Sequence, residues 1–309
     1  MDRTDAMALF VAAIDAGSLS GASRKIGLSL SSVSRHLTAL EERLGTKLVV
    51  RTTRALVLTD AGQTYYEAAK RLLAEVDDLE ASLTTDAAAP KGPLNVCAPT
   101  LFGRVFILPI LADFAVRHPA ITMDVMLLDR TPNLIEDGID LAVRIEDLDD
   151  SSLIARKLGS LRWVFAASPE YLATRGTPAA PDDLARQDCL LFSQQGRESS
   201  WPILVGGNLE RVTVPVRMRS NTLDGVVAAA VAGAGIVHAP AWAVADHVAE
   251  GRLQLVLCDF EVPHRPISAV FTHNRLLSGK VRALLDALAE GLSGYKLDEV
   301  PPFGSRPTA

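Results

Sequence analysis

Cysteine is scarce: Cys97, Cys189 and Cys258 are the only three in 309 residues, and no two form a C-x-x-C pair. So sparse and odd a set excludes a disulfide framework and points to a reducing compartment. The thiols read as small buried hydrophobes, with a redox role for Cys97 or Cys189 as the alternative. No run of about 18 apolar residues lacks charge or proline, so no membrane-spanning helix is expected. Met1 to Ala16 carries acids and no basic run ahead of a cleavage site, and the expected location is cytoplasmic. The six histidines, at 36, 118, 238, 247, 264 and 273, are scattered, with no H-E-x-x-H and no Cys/His cluster. A metal site is therefore not expected. G-x-S-x-G and P-loop motifs are missing as well. Gly233-Ala234-Gly235 lies between a helical and a strand-like run, the wrong side for a dinucleotide fingerprint. Ser220-Asn221-Thr222 with His238 lacks an ordered acid partner for hydrolysis. These gaps leave no enzyme class to assign, and no cofactor or metal.

What is present is unevenly distributed. The net charge of -6 argues against a chain that coats nucleic acid over its whole surface. Residues 1–60 nevertheless carry eight Lys or Arg against six Asp or Glu, a net of +2, whereas the remainder carries 23 against 31, a net of -8. A small basic head precedes an acidic body.

In the head, Met7, Phe10, Val11 and Ile14 recur at helical spacing, and Gly17 ends the run. Ser18 is placed to cap a short helix burying Leu19, Ala22 and Ile26. Gly27-Leu28-Ser29 then turns into a third helix reaching about Leu44, with Val33, Leu37, Leu40 and Leu44 on one stripe. Ser31, Arg35 and Thr38 fall opposite that stripe, with Ser32 and His36 on the flank. Val49–Arg51 and Ala55–Leu58 around Thr52-Thr53-Arg54 read as a hairpin with a basic tip. This is a winged helix-turn-helix. Arg35 suits the edge of a guanine, the hydroxyls suit phosphate or base edges, and Arg51 and Arg54 suit phosphate or the minor groove. Arg24 and Lys25 add neutralising charge.

From Asp60 onward, Tyr65, Ala69, Leu72, Val76, Leu79 and Leu83 are spaced by 4, 3, 4, 3 and 4, the seam of a coiled coil. Such a rod, roughly 37 Å long at 1.5 Å per residue, is expected to dimerise through that stripe. The Ala- and Pro-rich stretch to Pro93 is a hinge. Beyond it strand-like runs (among them Leu94–Ala98, Asp140–Ile145, Trp163–Ala167, Cys189–Phe192 and Val212–Met218) alternate with helical ones such as Phe106–Arg117, Leu134–Gly138 and Leu223–Ala232, an α/β pattern. The expected plan is a winged helix-turn-helix over 1–59, a linker helix over 60–85, a hinge over 86–93 and a body over 94–295. Within the body one lobe covers about 94–161 and 267–295 and the other about 162–266, and 296–309 is a flexible tail.

The run Gly27-Leu28-Ser29, Ser32-Val33-Ser34-Arg35, Leu40-Glu41-Glu42-Arg43-Leu44-Gly45, Arg51-Thr52-Thr53-Arg54 and Leu58-Thr59-Asp60-Ala61-Gly62 resembles the LysR-type transcriptional regulators over about sixty residues. Gly138–Arg144, Ser152–Leu158, Ala167–Leu172 and Gly233–Ile236 resemble the inducer-binding domains of that family. Leu30 and His36 depart from the usual pattern, and Leu48-Val49-Val50-Arg51 replaces Leu-Phe-x-Arg, so Val49 or Val50 must fill the aromatic's place. The resemblance implies a dimerising linker, a two-lobed body of periplasmic-binding-protein fold and four subunits on two adjacent DNA sites.

Two α/β lobes leave a cleft where strand ends meet helix N-termini. Pro99-Thr100-Leu101 offers N–H groups and a hydroxyl to an anion, Thr222 offers a second polar edge, and Arg144 ends a strand there. By resemblance Thr131 and Ser193 join Thr100, Leu101, Arg144 and Thr222 as effector-binding residues. The expected partners are double-stranded promoter DNA, a small organic effector (an acid or an aromatic compound), further copies of the chain and RNA polymerase. The competing reading is a small-molecule-binding protein of periplasmic type with no DNA role, which leaves residues 1–83 without a task.

Overall fold

The structure, a computed structural model, describes residues 2–51, 56–83, 90–147, 153–193, 199–272, 278–295 and 297. Two compact units divide at Ala88–Ala89. The first opens with α1 (Arg3–Asp15), α2 (Leu19–Ile26) and α3 (Leu30–Leu44). Serines start the second and third helices: the Ser18 hydroxyl accepts from the Gly21 N–H at 3.0 Å and that of Ser29 from the Ser32 N–H at 3.2 Å. Phe10 of α1 meets Leu37 and Leu40 of α3 in one apolar cluster, and Leu9 and Ala13 meet Val33 in a second, with Leu19 and Leu56 packed against both. Leu44, expected on the same stripe, is 39% exposed instead, and Glu41 takes the buried position in that last turn. The carboxylate is satisfied there by the N–H groups of Leu48 at 2.9 Å and Val49 at 3.2 Å and by the Lys47 ammonium at 2.7 Å. The end of α3 is thereby fastened to the wing.

The wing pairs β1 (Val49–Arg51) with β2 (Leu56–Leu58) antiparallel, Val49 opposite Leu58. Val49 fills the core and Val50 faces outward. Thr59 then caps α4 (Asp60–Leu83), accepting the Gly62 N–H at 2.9 Å while its hydroxyl donates to the Lys47 carbonyl at 2.7 Å.

One expectation for α4 needs correcting. Tyr65 and Ala69 do not lie on an outward seam. The Tyr65 ring meets Phe10 edge-on at 5.4 Å and Ala69 is buried within the same unit. The stripe is continuous, but its first turns lie on α1, which consumes them. Leu72 and Val76, further along, stay exposed at 47% and 37%. The side chains of Leu79 and Leu83 lie outside the described residues.

The second unit holds two five-stranded sheets. The first, in spatial order, contains β4 (Ile121–Leu127), β3 (Gly92–Ala98), β5 (Leu141–Ile145), β14 (Arg265–Phe271) and β6 (Ile154–Leu161). The second contains β11 (Val216–Ser220), β8 (Cys189–Phe192), β12 (Ile236–Pro240), β7 (Trp163–Ala167) and β13 (Gln254–Val256). Helices cover them: α5 (Thr100–Phe102), α6 (Leu108–Arg117) and α10 (Gly279–Ser293) in the first lobe, and α7 (Pro169–Arg175), α8 (Leu223–Val231) and α9 (Ala241–Ala249) in the second. Burial on both faces explains why β7 is apolar throughout: Phe165 joins one core and Val164 and Ala166 the other.

Three local expectations fail. Val212–Met218 is two strands, because Pro215 carries no N–H and parts β10 (Asn208–Thr213) from β11. β10 instead folds back on β9 (Ser200–Val205) as a hairpin. Leu134–Gly138 forms turns rather than a helix, with the Asn133 side chain accepting from the Ile135 N–H at 3.2 Å. The helix expected from Phe106 is entered earlier, through α5 and a π-helical turn over Gly103–Ile107. The tail from 298 onward lies outside the described residues.

The chain passes between the lobes twice, once at Arg162 between β6 and β7 and once ahead of β14. A two-pronged ion pair ties the passes together, the Arg162 Nε donating to Glu261 Oε2 at 2.7 Å and its Nη2 to Oε1 at 2.9 Å. That pairing raises the Arg162 pKa above its ordinary value.

Candidate DNA-reading face and effector cleft

In the head, Ser29 organises the start of α3, its hydroxyl lying 3.0 Å from that of Ser31 and donating to that of Ser32 at 2.9 Å. Ser31 and Arg35 are exposed, and Ser32, His36 and Thr38 are half-buried beside them. Arg35 reaches back to Ser32 only loosely, at 3.4 Å, so its guanidinium stays available to an outside acceptor. Thr38 spends its hydroxyl proton on the Ser34 carbonyl at 3.0 Å. Arg24 and Lys25 are exposed in the last turn of α2. Arg51 ends β1 with its side chain outside the described residues, as is all of Arg54. This face suits the major groove: a narrow rod, hydroxyls at its N-terminus, one long cation, and no acid in its first turn.

In the body, a cleft of about 570 Å³ opens between the two sheets. Leu101, Thr131, Arg144 and Ser193 line it, whereas Thr100 and Thr222 are set back from its wall. The Thr100 N–H, expected to face an anion, already donates to Asp129 Oδ1 at 2.9 Å. An acid of the protein fills that role. Thr222 is engaged with Ser220, whose hydroxyl accepts the Thr222 N–H at 3.1 Å. Arg144 donates through Nη2 to the Pro132 carbonyl at 3.0 Å and lies 3.7 Å from Glu146, which fixes its direction.

Sequence reading missed the aromatic floor. Trp163, Trp201, Trp242 and Phe192 all line the cleft, and these three are the only tryptophans in the chain. His238 is buried among them, stacked on Phe165 at 4.4 Å and 5.1 Å from Trp163. Burial, aided by the charge of Arg265, pushes its pKa down to about 3, so the imidazole is neutral near pH 7. The Arg265 guanidinium lies over the Trp163 ring at 4.5 Å. Four of the buried polar atoms without a hydrogen-bond partner among the described residues belong to cleft-lining residues: Arg144 Nε, Trp163 Nε1, His238 Nε2 and Trp242 Nε1. Unsatisfied groups gathered in one concavity mark a site built for something other than stability. Cys97 also lines the cleft, where burial raises its pKa to about 11 and keeps the thiol protonated. Among the described residues no group of three His, Cys, Asp or Glu is arranged to hold a metal, and no helix is long and apolar enough to cross a membrane.

A capped winged helix-turn-helix followed by a two-lobed body with a cleft fits a DNA-binding protein that carries a ligand-binding domain. The family model for bacterial regulatory helix-turn-helix proteins of the LysR family matches residues 4–63, and that for the LysR substrate binding domain matches residues 87–293. A transcriptional repressor of Pseudomonas aeruginosa strain UCBPP-PA14 is 38% identical over 293 residues, 94% of this chain and 92% of that protein. The structure of CrgA from Neisseria meningitidis, a LysR-type transcriptional regulator, aligns with 32% identity and a TM-score of 0.59, covering 94% of this chain and 99% of that one. Full-length AphB, a Vibrio cholerae virulence activator, aligns with 25% identity and a TM-score of 0.58 over 94% and 99% of the two chains. The chain belongs to the LysR family of transcriptional regulators. It is a DNA-binding regulator with an effector-binding C-terminal domain, and not an enzyme.

Proposed function

We propose that occupancy of the cleft by a small organic effector sets how the head binds promoter DNA. Ser31, Ser32, Arg35, His36 and Thr38 read the major groove, and Arg51 and Arg54 hold the flanking backbone. Leu101, Thr131, Arg144 and Ser193 face the effector, while Thr100 and Thr222 shape the helix starts behind it. The working boundaries are residues 1–59 for the head, 60–85 for the linker, 86–93 for the hinge and 94–295 for the sensing body. The working assembly is a homodimer through Leu72, Val76, Leu79 and Leu83, two of which pair into a tetramer over adjacent sites. Effector binding changes lobe closure, and the assembly converts that into a different spacing or angle of the heads, altering DNA bending and the access of RNA polymerase. Coupling of about 1–3 kcal/mol is the usual size of such an effect.

The observation that carries this reading is the exposed, acid-free Ser31–Arg35 edge at the capped start of α3. The test is binding of the full chain to duplex DNA from upstream of its own gene, across a salt series. The expected result is saturable binding that weakens steeply with salt and is stronger than binding to unrelated duplex. Equal affinity for both duplexes at every salt concentration overturns it.

A further inference from the structure

The charges around the cleft are unbalanced, and one of them is unpaired. Arg130, Arg144, Arg211 and Arg265 line it against only Asp129 and Glu146. Arg130 lies 3.5 Å from Asp137, Arg144 has Pro132 and Glu146, and Arg211 reaches Ser200 at 3.5 Å. Asp129 is engaged with the Thr100 N–H. Arg265 alone of the four has neither hydrogen bond nor ion pair for its guanidinium among the described residues; Glu146 and Asp147 act on it only at longer range. A half-buried cation without a counter-ion carries a desolvation cost that a bound anion removes. Its partner on the other side is the Trp163 ring. A guanidinium that meets a ring through its cation–π contact keeps its N–H donors for a carboxylate, which accepts two of them side by side.

The rest of the wall has a different chemistry. The three indoles and Phe192 offer flat apolar surface, and the neutral His238 adds no charge to that of the arginines. Planar rings meet such walls in offset or edge-on contacts worth more than their area alone. We infer that the cleft takes an aromatic carboxylate, its carboxylate paired with Arg265 and its ring lying against Trp163, Trp201 and Trp242. This assignment rests on the reading of the cleft as the effector site. It also gives the ligand a lever. Trp163 and Arg265 are the first residues of β7 and β14, the strands that follow the two passages between the lobes. A molecule held by both bears directly on the segments about which the lobes turn.

The test uses the full chain and calorimetric titration with benzoate, 4-hydroxybenzoate, cinnamate and 2-naphthoate. Benzamide serves as the neutral counterpart and cyclohexanecarboxylate as the non-aromatic one. Because every tryptophan lines the cleft, excitation of tryptophan with benzoate as titrant reports binding at this place. At least one aromatic carboxylate is expected to saturate and to bind at least about tenfold more tightly than its amide. Arg265→Gln is expected to erase that preference, and Arg265→Lys to keep part of it. Equal binding of acid and amide by the native chain overturns the Arg265 pairing without recourse to any variant. Equal binding of cyclohexanecarboxylate overturns the aromatic assignment. If only neutral or cationic compounds perturb tryptophan emission and DNA affinity, the ligand class is wrong while the cleft remains the effector site. If no compound of any class does so in a chain that still binds DNA, the cleft reading itself falls.

Discussion

A Cβ on residue 62 would stand 1.9 Å from the Leu48 carbonyl oxygen, so only glycine lets α4 cross this close to the start of the wing. The neighbouring Thr59 hydroxyl donates to the Lys47 carbonyl, and its oxygen accepts the Gly62 N–H. Gly62→Ala must push helix and wing apart, and a destabilisation of about 1–3 kcal/mol is expected from overpacking. Denaturant unfolding followed by circular dichroism measures it, and an unchanged midpoint excludes the close crossing.

Glu41 acts as the second fastener of the wing. Burial works against its charge, but the Lys47 ammonium and the N–H groups of Leu48 and Val49 outweigh it and hold the pKa below the ordinary 4.5. The unfolded chain therefore takes up this proton first as the pH falls. The stabilisation is complete above about pH 4.5 and is lost as the pH drops through the lower folded-state value. Glu41→Gln is expected to cost about 1–3 kcal/mol at pH 7, with the gap in melting temperature from the native chain closing below pH 4.5. A gap that stays constant down to pH 3 contradicts this.

Arg35 on α3 and Arg24 on α2 are expected to differ in how they serve DNA binding. Arg35→Ala should cost about 1–3 kcal/mol of affinity and flatten discrimination between operator variants at one base position. Arg24→Ala should weaken all duplexes alike and reduce the salt slope by about one. Fluorescence anisotropy at several salt concentrations separates the two patterns. A uniform loss for Arg35→Ala moves that residue to the phosphate backbone.

The split of the α4 stripe predicts two opposite phenotypes. Leu72→Glu with Val76→Glu places charge where the described chain leaves apolar surface open, and should lower the oligomeric state in sedimentation without moving the melting transition of the head. Tyr65→Ala removes the partner of Phe10 and should destabilise the head by about 2–4 kcal/mol. If instead Tyr65→Ala dissociates the oligomer and spares the head, the inward packing of that ring is wrong.

Thiol chemistry should distinguish the three cysteines. Burial raises the pKa of all three thiols, to about 11 for Cys97 and about 12 for Cys189, but Cys258 alone of the three is exposed. At pH 8 one thiol per native chain is expected to react quickly with an aromatic disulfide reagent, and all three after denaturation. Two fast thiols in the native chain point to Cys97 being reachable through the cleft.

Local periodicity carried the helices well. Val33, Leu37 and Leu40 are buried because they recur at the helical repeat, and the serines ahead of α2 and α3 cap them as hydroxyls do. Tyr65 and Ala69 show the limit: a heptad seam and a helix packed on its own domain write the same spacing, and only the position of α1 separates them. The β9–β10 hairpin left a usable signal, Gly206-Gly207 between alternating runs, both with positive φ as a two-residue turn of this kind requires. Trp163, His238 and Arg265 left none. They lie on three strands remote in sequence, and their meeting depends on how two sheets are connected.

The Arg162–Glu261 clamp gives the sensing body a mechanical character. Two separate connections between rigid halves would let one half slide, twist or rock on the other. Here a forked bond ties them side by side, so any such movement must either carry the Arg162–Glu261 pair along intact or break it.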